Sequence, residues 1–181
     1  MPPVRSAAAA ILSAIMLMSA HAWAQTAPRE ERIKAALIFK LVKFVEWPAS
    51  LLASNAPLQI CAYGNSGVTE ALAAADGKPA RDRTAKFHKL DSLSANDIKG
   101  CHVLFIAAGT RELANGVPPV LRNRGSGLLT ISDNPDFARR GGMIGLNQGE
   151  NKITFEINLR LARDGGLEPG ASLLELATVI D

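Results

Sequence analysis

No apolar stretch in this sequence approaches the roughly 20 residues needed to cross a bilayer; the longest, Ala7 to Met18, is far shorter. There is no internal repeat, low-complexity tract or interdomain linker, so repeat arrays and multidomain layouts are excluded. Metal ligands are scarce. The chain has two cysteines and three histidines, with no C-x-x-C or H-x-x-x-H spacing, so a zinc site and other metal centres are not expected. Catalytic signatures are missing too: there is no G-x-S-x-G elbow and no P-loop ending in Gly-Lys-Ser/Thr. Charge bias is absent, with 20 basic residues facing 17 acidic ones. Apart from Arg122/Arg124 and Arg139/Arg140 the basic residues are scattered, which argues against a nucleic-acid partner.

The N-terminus has the three parts of a secretory signal. Arg5 supplies the positive charge, and Ala7 to Met18 the apolar run. Small residues then flank a bulky one in Ala20-His21-Ala22 and Ala22-Trp23-Ala24. Cleavage after Ala24 is expected, with residues 1–24 as the leader and 25–181 as one domain of roughly 157 residues, enough to bury a real core. No later segment is long and apolar enough to span a membrane.

Cys61 and Cys101 both lie beyond the leader. In an oxidising compartment an even pair in a small domain reads most simply as a disulfide, with two buried thiols as the alternative. Closing a loop of that length is worth about 4 kcal/mol in the chain-entropy model.

Hydrophobic periodicity gives the organisation. Glu31 to Val45 reads as an amphipathic helix, with Ile33, Leu37, Leu41, Phe44 and Val45 on one side and Ile38 and Val42 widening the stripe. It must stop near Trp47, because Pro48 disfavours helix in the residue before it. Leu58 to Tyr63 reads as a strand ended by Gly64-Asn65-Ser66-Gly67, and Val68 to Ala75 as a helix capped by Ser66. Ala85 to Leu90 suggests an edge strand. Val103 to Ala107 and Leu128 to Ser132 are continuous apolar runs of the kind buried on both faces of a sheet. Arg111 to Asn123 carries a helical pattern interrupted by Pro118 and Pro119. Met143 to Asn147 and Lys152 to Asn158 form a hairpin near one sheet edge, and Ser172 to Val179 a closing helix. The expected architecture is an α/β three-layer sandwich, a mixed central sheet flanked by helices.

Candidate chemistry is thin. Gly64-Asn65-Ser66-Gly67 lies between a strand and a helix, where a ligand loop would sit, yet it lacks the third glycine of the dinucleotide fingerprint. Ser132-Asp133 can be combined on paper with His88 or His102 into a triad, as in almost any protein of this size; the chain is therefore not read as an enzyme, and no cofactor is expected. Gly141-Gly142 before a strand implies either a backbone conformation closed to other residues or a close approach by another segment.

Taken together, the segments resemble the YfiR family of periplasmic proteins. The resemblance runs through Lys34-Ala35-Ala36, Lys43-Phe44-Val45-Glu46-Trp47-Pro48, Leu58-Gln59-Ile60-Cys61 and Cys101-His102-Val103-Leu104-Phe105-Ile106. It continues in Leu129-Thr130-Ile131-Ser132-Asp133, Phe137, Gly141-Gly142-Met143-Ile144, Phe155-Glu156-Ile157-Asn158 and Leu173-Leu174-Glu175-Leu176-Ala177. The order and spacing of these blocks, rather than any one of them, carry it.

The resemblance implies regulation. Family members act as periplasmic repressors that bind the periplasmic sensor domain of an inner-membrane diguanylate cyclase, lowering cyclic-di-GMP signalling and biofilm formation. An outer-membrane lipoprotein partner and a homodimer are implied with it. The matching cysteine pair forms a disulfide in the family. Some members carry a second pair in the segment that here reads Phe137 to Leu146, where this chain has Ala138 and Gly145; redox switching tied to that pair is not expected here. Glu156 and then Asn158 are the implied partner-binding residues. Trp47 either anchors a partner or plugs the core. The alternative function is a periplasmic small-molecule-binding protein using the glycine turn after Tyr63.

Overall fold

The computed structural model describes residues 28–121, 127–150 and 152–181; the expected leader lies outside them. The first helix, α1, spans Arg29–Leu41 and tightens into a 3-10 turn over Val42–Phe44. Glu30 and Glu31 in its first turn and Lys40 in its last complement the helix dipole. It stops earlier than Pro48 requires, because Val45 is already extended and Val45–Glu46 forms a short strand, β1. The core-facing stripe is also rotated from expectation. Ala35, Ile38, Leu41 and Val42 are buried, whereas Ile33 is 47% exposed.

A mixed eight-stranded sheet follows from the remaining strands. In chain order these are β2 (Leu58–Tyr63), β3 (Pro79–Ala80), β4 (Arg83–Leu90), β5 (Val103–Ile106), β6 (Leu129–Ser132), β7 (Ile144–Gln148), β8 (Ile153–Asn158) and β10 (Thr178–Ile180). In space they run β10-β8-β7-β6-β5-β2-β4-β3, while β1 pairs separately with β9 (Glu168–Pro169). The central run β7-β6-β5-β2-β4 is parallel; β3 and β8 are antiparallel to their inner neighbours. The continuous apolar sequences of β5 and β6 are buried along their whole length, as central parallel strands require.

Alternation along each strand divides the core in two. Leu58, Ile60, Val103, Phe105, Leu129, Ile131, Ile144, Leu146, Phe155 and Ile157 join α1 and α2 (Gly67–Leu72) in one apolar cluster. Cys61, Leu104 and Ile106 point the other way, onto Leu113, Val117, Leu121 and Phe137. The sandwich is therefore as expected, but its second face is covered largely by turns. Arg111 to Asn123 forms, among the described residues, two 3-10 turns, Arg111–Leu113 and Pro119–Leu121. Gly116 at φ 105 and the Pro118-Pro119 pair break the helix: proline supplies no N–H and pushes its predecessor out of the helical region. Helix α3 is Leu159–Asp164. The expected C-terminal helix is likewise only α4, Ala171–Leu174. Beyond it the consecutive β-branched residues Thr178-Val179-Ile180 form β10, parallel to β8.

The disulfide Cys61–Cys101 is present, with Cα atoms 5.9 Å apart. It joins β2 to the entrance of β5, and His102 reinforces the joint. The Gln59 N–H donates to His102 Nδ1 (3.0 Å), and the His102 N–H donates to the Gln59 carbonyl (3.0 Å). At the opposite end, Lys34 of α1 reaches Glu30 (2.8 Å) and Asp133 (3.4 Å), while Asp133 Oδ1 accepts from the Ala108 N–H (2.9 Å). Burial opposes the Lys34 charge, but its two carboxylate partners raise its pKa, so α1 is tied to the loops after β5 and β6.

Candidate partner-binding surface

Glu156 and Asn158 share one face of β8, as alternation requires, but that face is not open to water. The β6–β7 crossover passes over it. Phe137 and Ala138 of this strap are buried, and Gly145 on β7, opposite Glu156 in register, makes room: a Cβ there would lie 3.2 Å from the Ala138 nitrogen. Both readings of the double glycine hold. Gly141 has φ 102, and a Cβ on Gly142 would fall within the Phe137 ring.

Glu156 is only 9% exposed. Its Oε1 accepts from Arg139 Nη2 (2.6 Å) and Nε (3.2 Å). A carboxylate on a covered sheet face needs such a cation, and the pairing raises the Arg139 pKa. The Arg139 side chain is 54% exposed, so what this site presents to the outside is a guanidinium held in place from below. Asn158, also buried, caps α3: its Oδ1 accepts from the Leu161 N–H (2.9 Å), and its Nδ2 donates to the Ala138 carbonyl (3.5 Å). Arg140 extends the hold by donating to the carbonyls of Leu113 and Ala114.

On its outer side β8 is flanked by β10, with Thr178 beside Glu156 and Ile180 beside Asn158. In the same segment Leu176 is 72% exposed and Val179 43% exposed, but Val179 is in register with Ile157 and so lies on the opposite sheet face from Glu156. An arginine held in place from below is an ingredient of a protein–protein contact. The sequence pointed to Glu156, but Arg139 was noted only as one of a basic pair. A buried acid on a strand opposite a glycine is the signal that could have linked them.

Trp47 stands apart from this corner. It is half-buried against the first apolar cluster, and its indole Nε1–H donates to the Gly127 carbonyl (2.7 Å). It thus closes the joint between β1 and the entrance of β6. The paper triad does not assemble. Ser132 is buried, donating to the Ile106 carbonyl (2.6 Å) and accepting from the Asn134 N–H (3.0 Å). His102 lies at the opposite end of the sheet, and His88 meets the Gln59 side chain there (2.7 Å). Among the described residues no group of acids, histidines and cysteines could hold a metal ion, and no helix is long and apolar enough to cross a membrane.

The family profile described as YfiR/HmsC-like matches residues 31–178, almost the whole described chain. The chain belongs to the YfiR/HmsC-like family. Membership supports a periplasmic regulator of diguanylate cyclase signalling from a non-catalytic family, and the disulfide fits a secreted location. Within this YfiR/HmsC-like chain the β8–strap–β10 corner is the best-built protein-binding candidate. No curated protein matches the sequence.

Proposed function

We propose that this YfiR/HmsC-like protein, after removal of residues 1–24, binds the periplasmic sensor domain of an inner-membrane diguanylate cyclase and represses it. Cyclic-di-GMP signalling and biofilm formation are thereby lowered. The family match across residues 31–178 carries the reading. The corner formed by Arg139 over Glu156 is the surface assigned to the cyclase. Asn158 keeps that corner rigid, and Trp47 serves as a support for the fold. A homodimer and release by an outer-membrane lipoprotein complete the scheme.

Deleting the gene in a strain that expresses the cyclase should raise cyclic-di-GMP. Complementation by the full chain should reverse the rise, while a version lacking residues 1–24 should not. An unchanged cyclic-di-GMP level on deletion, or full repression by the leaderless version, would overturn the proposal.

A further inference from the structure

The parallel strands leave a crevice at their C-terminal ends. The connection leaving β2 runs to α2, on the side of the first apolar cluster. The one leaving β5 runs to the 3-10 turns covering the second. Where successive connections diverge to opposite faces of a parallel sheet, a ligand crevice opens beyond the strand ends. Here its volume is about 520 Å³, within the roughly 300–1,000 Å³ of small-molecule sites. Gly64, at φ +91, lets the two loops meet, since a Cβ on it would lie 2.7 Å from Thr110 Cγ2 and 2.9 Å from Ala107 Cβ.

Charge is placed on two walls. The end of β4 contributes Lys89 and Asp91, and the segment after β5 contributes Arg111 and Glu112; Tyr63, ending β2, lies between them. The Tyr63 hydroxyl donates to the Glu112 carboxylate, an interaction that raises the pKa of the phenol. That bond occupies Glu112 and leaves Arg111 as the hydrogen-bonding fork of its wall. Thr110 adds a buried hydroxyl with no hydrogen-bond partner among the described residues.

Strand spacing then selects the ligand. β4 and β5 are the two neighbours of β2, so the strand ends from which the two walls rise stand about 10 Å apart at ~4.8 Å per strand. The ammonium and carboxylate of a free amino acid sit on one carbon and cannot reach both walls. An extended tripeptide spans about 10 Å. We propose that this crevice binds a zwitterionic peptide of about three residues, its carboxylate on Arg111 and its ammonium on Asp91. The site does not depend on repression of a cyclase.

Calorimetry on the purified mature protein tests it with a panel of Ala-X-Ala tripeptides covering the twenty side chains. At least one should bind. N-acetylation or C-amidation of that peptide should each weaken binding about tenfold, the loss of one charge-assisted hydrogen bond in a partly open site. Asp91→Asn should abolish the effect of N-acetylation, and Arg111→Gln that of C-amidation. Both side chains are exposed, and circular dichroism verifies that the variants are folded. No binding by any panel member at millimolar concentration would overturn the proposal, as would blocked peptides that bind as well as free ones. Tight binding of single amino acids would also overturn it, by removing the two-wall geometry. None of these outcomes bears on the repression reading, which is measured in cells.

Discussion

Ala138 and Gly145 are far from obvious partners in the sequence, yet a Cβ built on Gly145 lies 3.6 Å from Ala138 Cβ. Disulfide-bonded cysteines have Cβ atoms about 3.5–4.5 Å apart. The double substitution Ala138→Cys, Gly145→Cys should therefore close a second bridge in oxidising conditions, pinning the strap to β7. The loop is short, so the chain-entropy model gives only about 2.4 kcal/mol, roughly three-fifths of what the same model assigns to Cys61–Cys101. The Ala138 nitrogen stands 3.2 Å from the new Cβ and must yield by a few tenths of an ångström, which reduces the expected gain to about 1–2 kcal/mol. The proper reference is the pair Ala138→Ser, Gly145→Ser, which adds similar side chains without the bond. Thiol counting in denaturant reports bridge formation, and urea melts of the oxidised proteins report the stability difference. Two titratable thiols in the oxidised double-cysteine protein would refute the geometry. A bridged protein no more stable than the serine pair would refute the energetic argument.

Gly142, three residues away, should behave in the opposite way. Gly142→Ala puts a methyl into the Phe137 ring, and with that ring buried the cost should be about 3 kcal/mol, an overpacking penalty, read as a lower urea midpoint; a change under ~0.5 kcal/mol would mean that Phe137 gives way freely. His102 should confer a pH dependence. Burial, aided by the nearby Arg83 charge, lowers its pKa below 6.5, and its Nδ1 must stay unprotonated to accept from the Gln59 N–H. The unfolded state therefore binds the proton more readily, so this contribution is present above pH 6.5 and is lost as the pH falls from there through the folded-state pKa. Urea melts across that window should show a shallower pH slope for His102→Gln, and an identical slope would remove His102 from the account.

The parts of the fold legible in the sequence were those decided locally. Leu58 to Tyr63 announced β2 as a short apolar run ended by a glycine turn, and the continuous apolar runs announced β5 and β6. Ser66 accepts from the Thr69 N–H (3.1 Å), as its position before a helical pattern implied. Misreadings arose where a helical pattern competed with stronger local terms: two prolines and a left-handed glycine after Arg111, and three β-branched residues at the end. The candidate site was the least legible. Alternation placed Glu156 on the polar side of its strand, but whether that side meets water depends on a crossover from elsewhere in the chain. Arg139 and Glu156 are joined only after β6, β7 and the strap are in place, and no periodicity carries that information. Trp47 was ambiguous for a similar reason, since its indole partner is the backbone of Gly127.

Strand β10 is only Thr178–Ile180, yet among the described residues it alone occupies the outer hydrogen-bonding side of β8. Behind it β8 alternates Ile153, Phe155 and Ile157 on one face, the composition of a sticky strand. If β10 detaches, a six-residue apolar-patterned edge is laid bare, ready to template sheet growth between copies. Strand β10 thus acts as a guard against aggregation, and a substitution that unpairs it puts solubility at risk before it disturbs any other part of the fold.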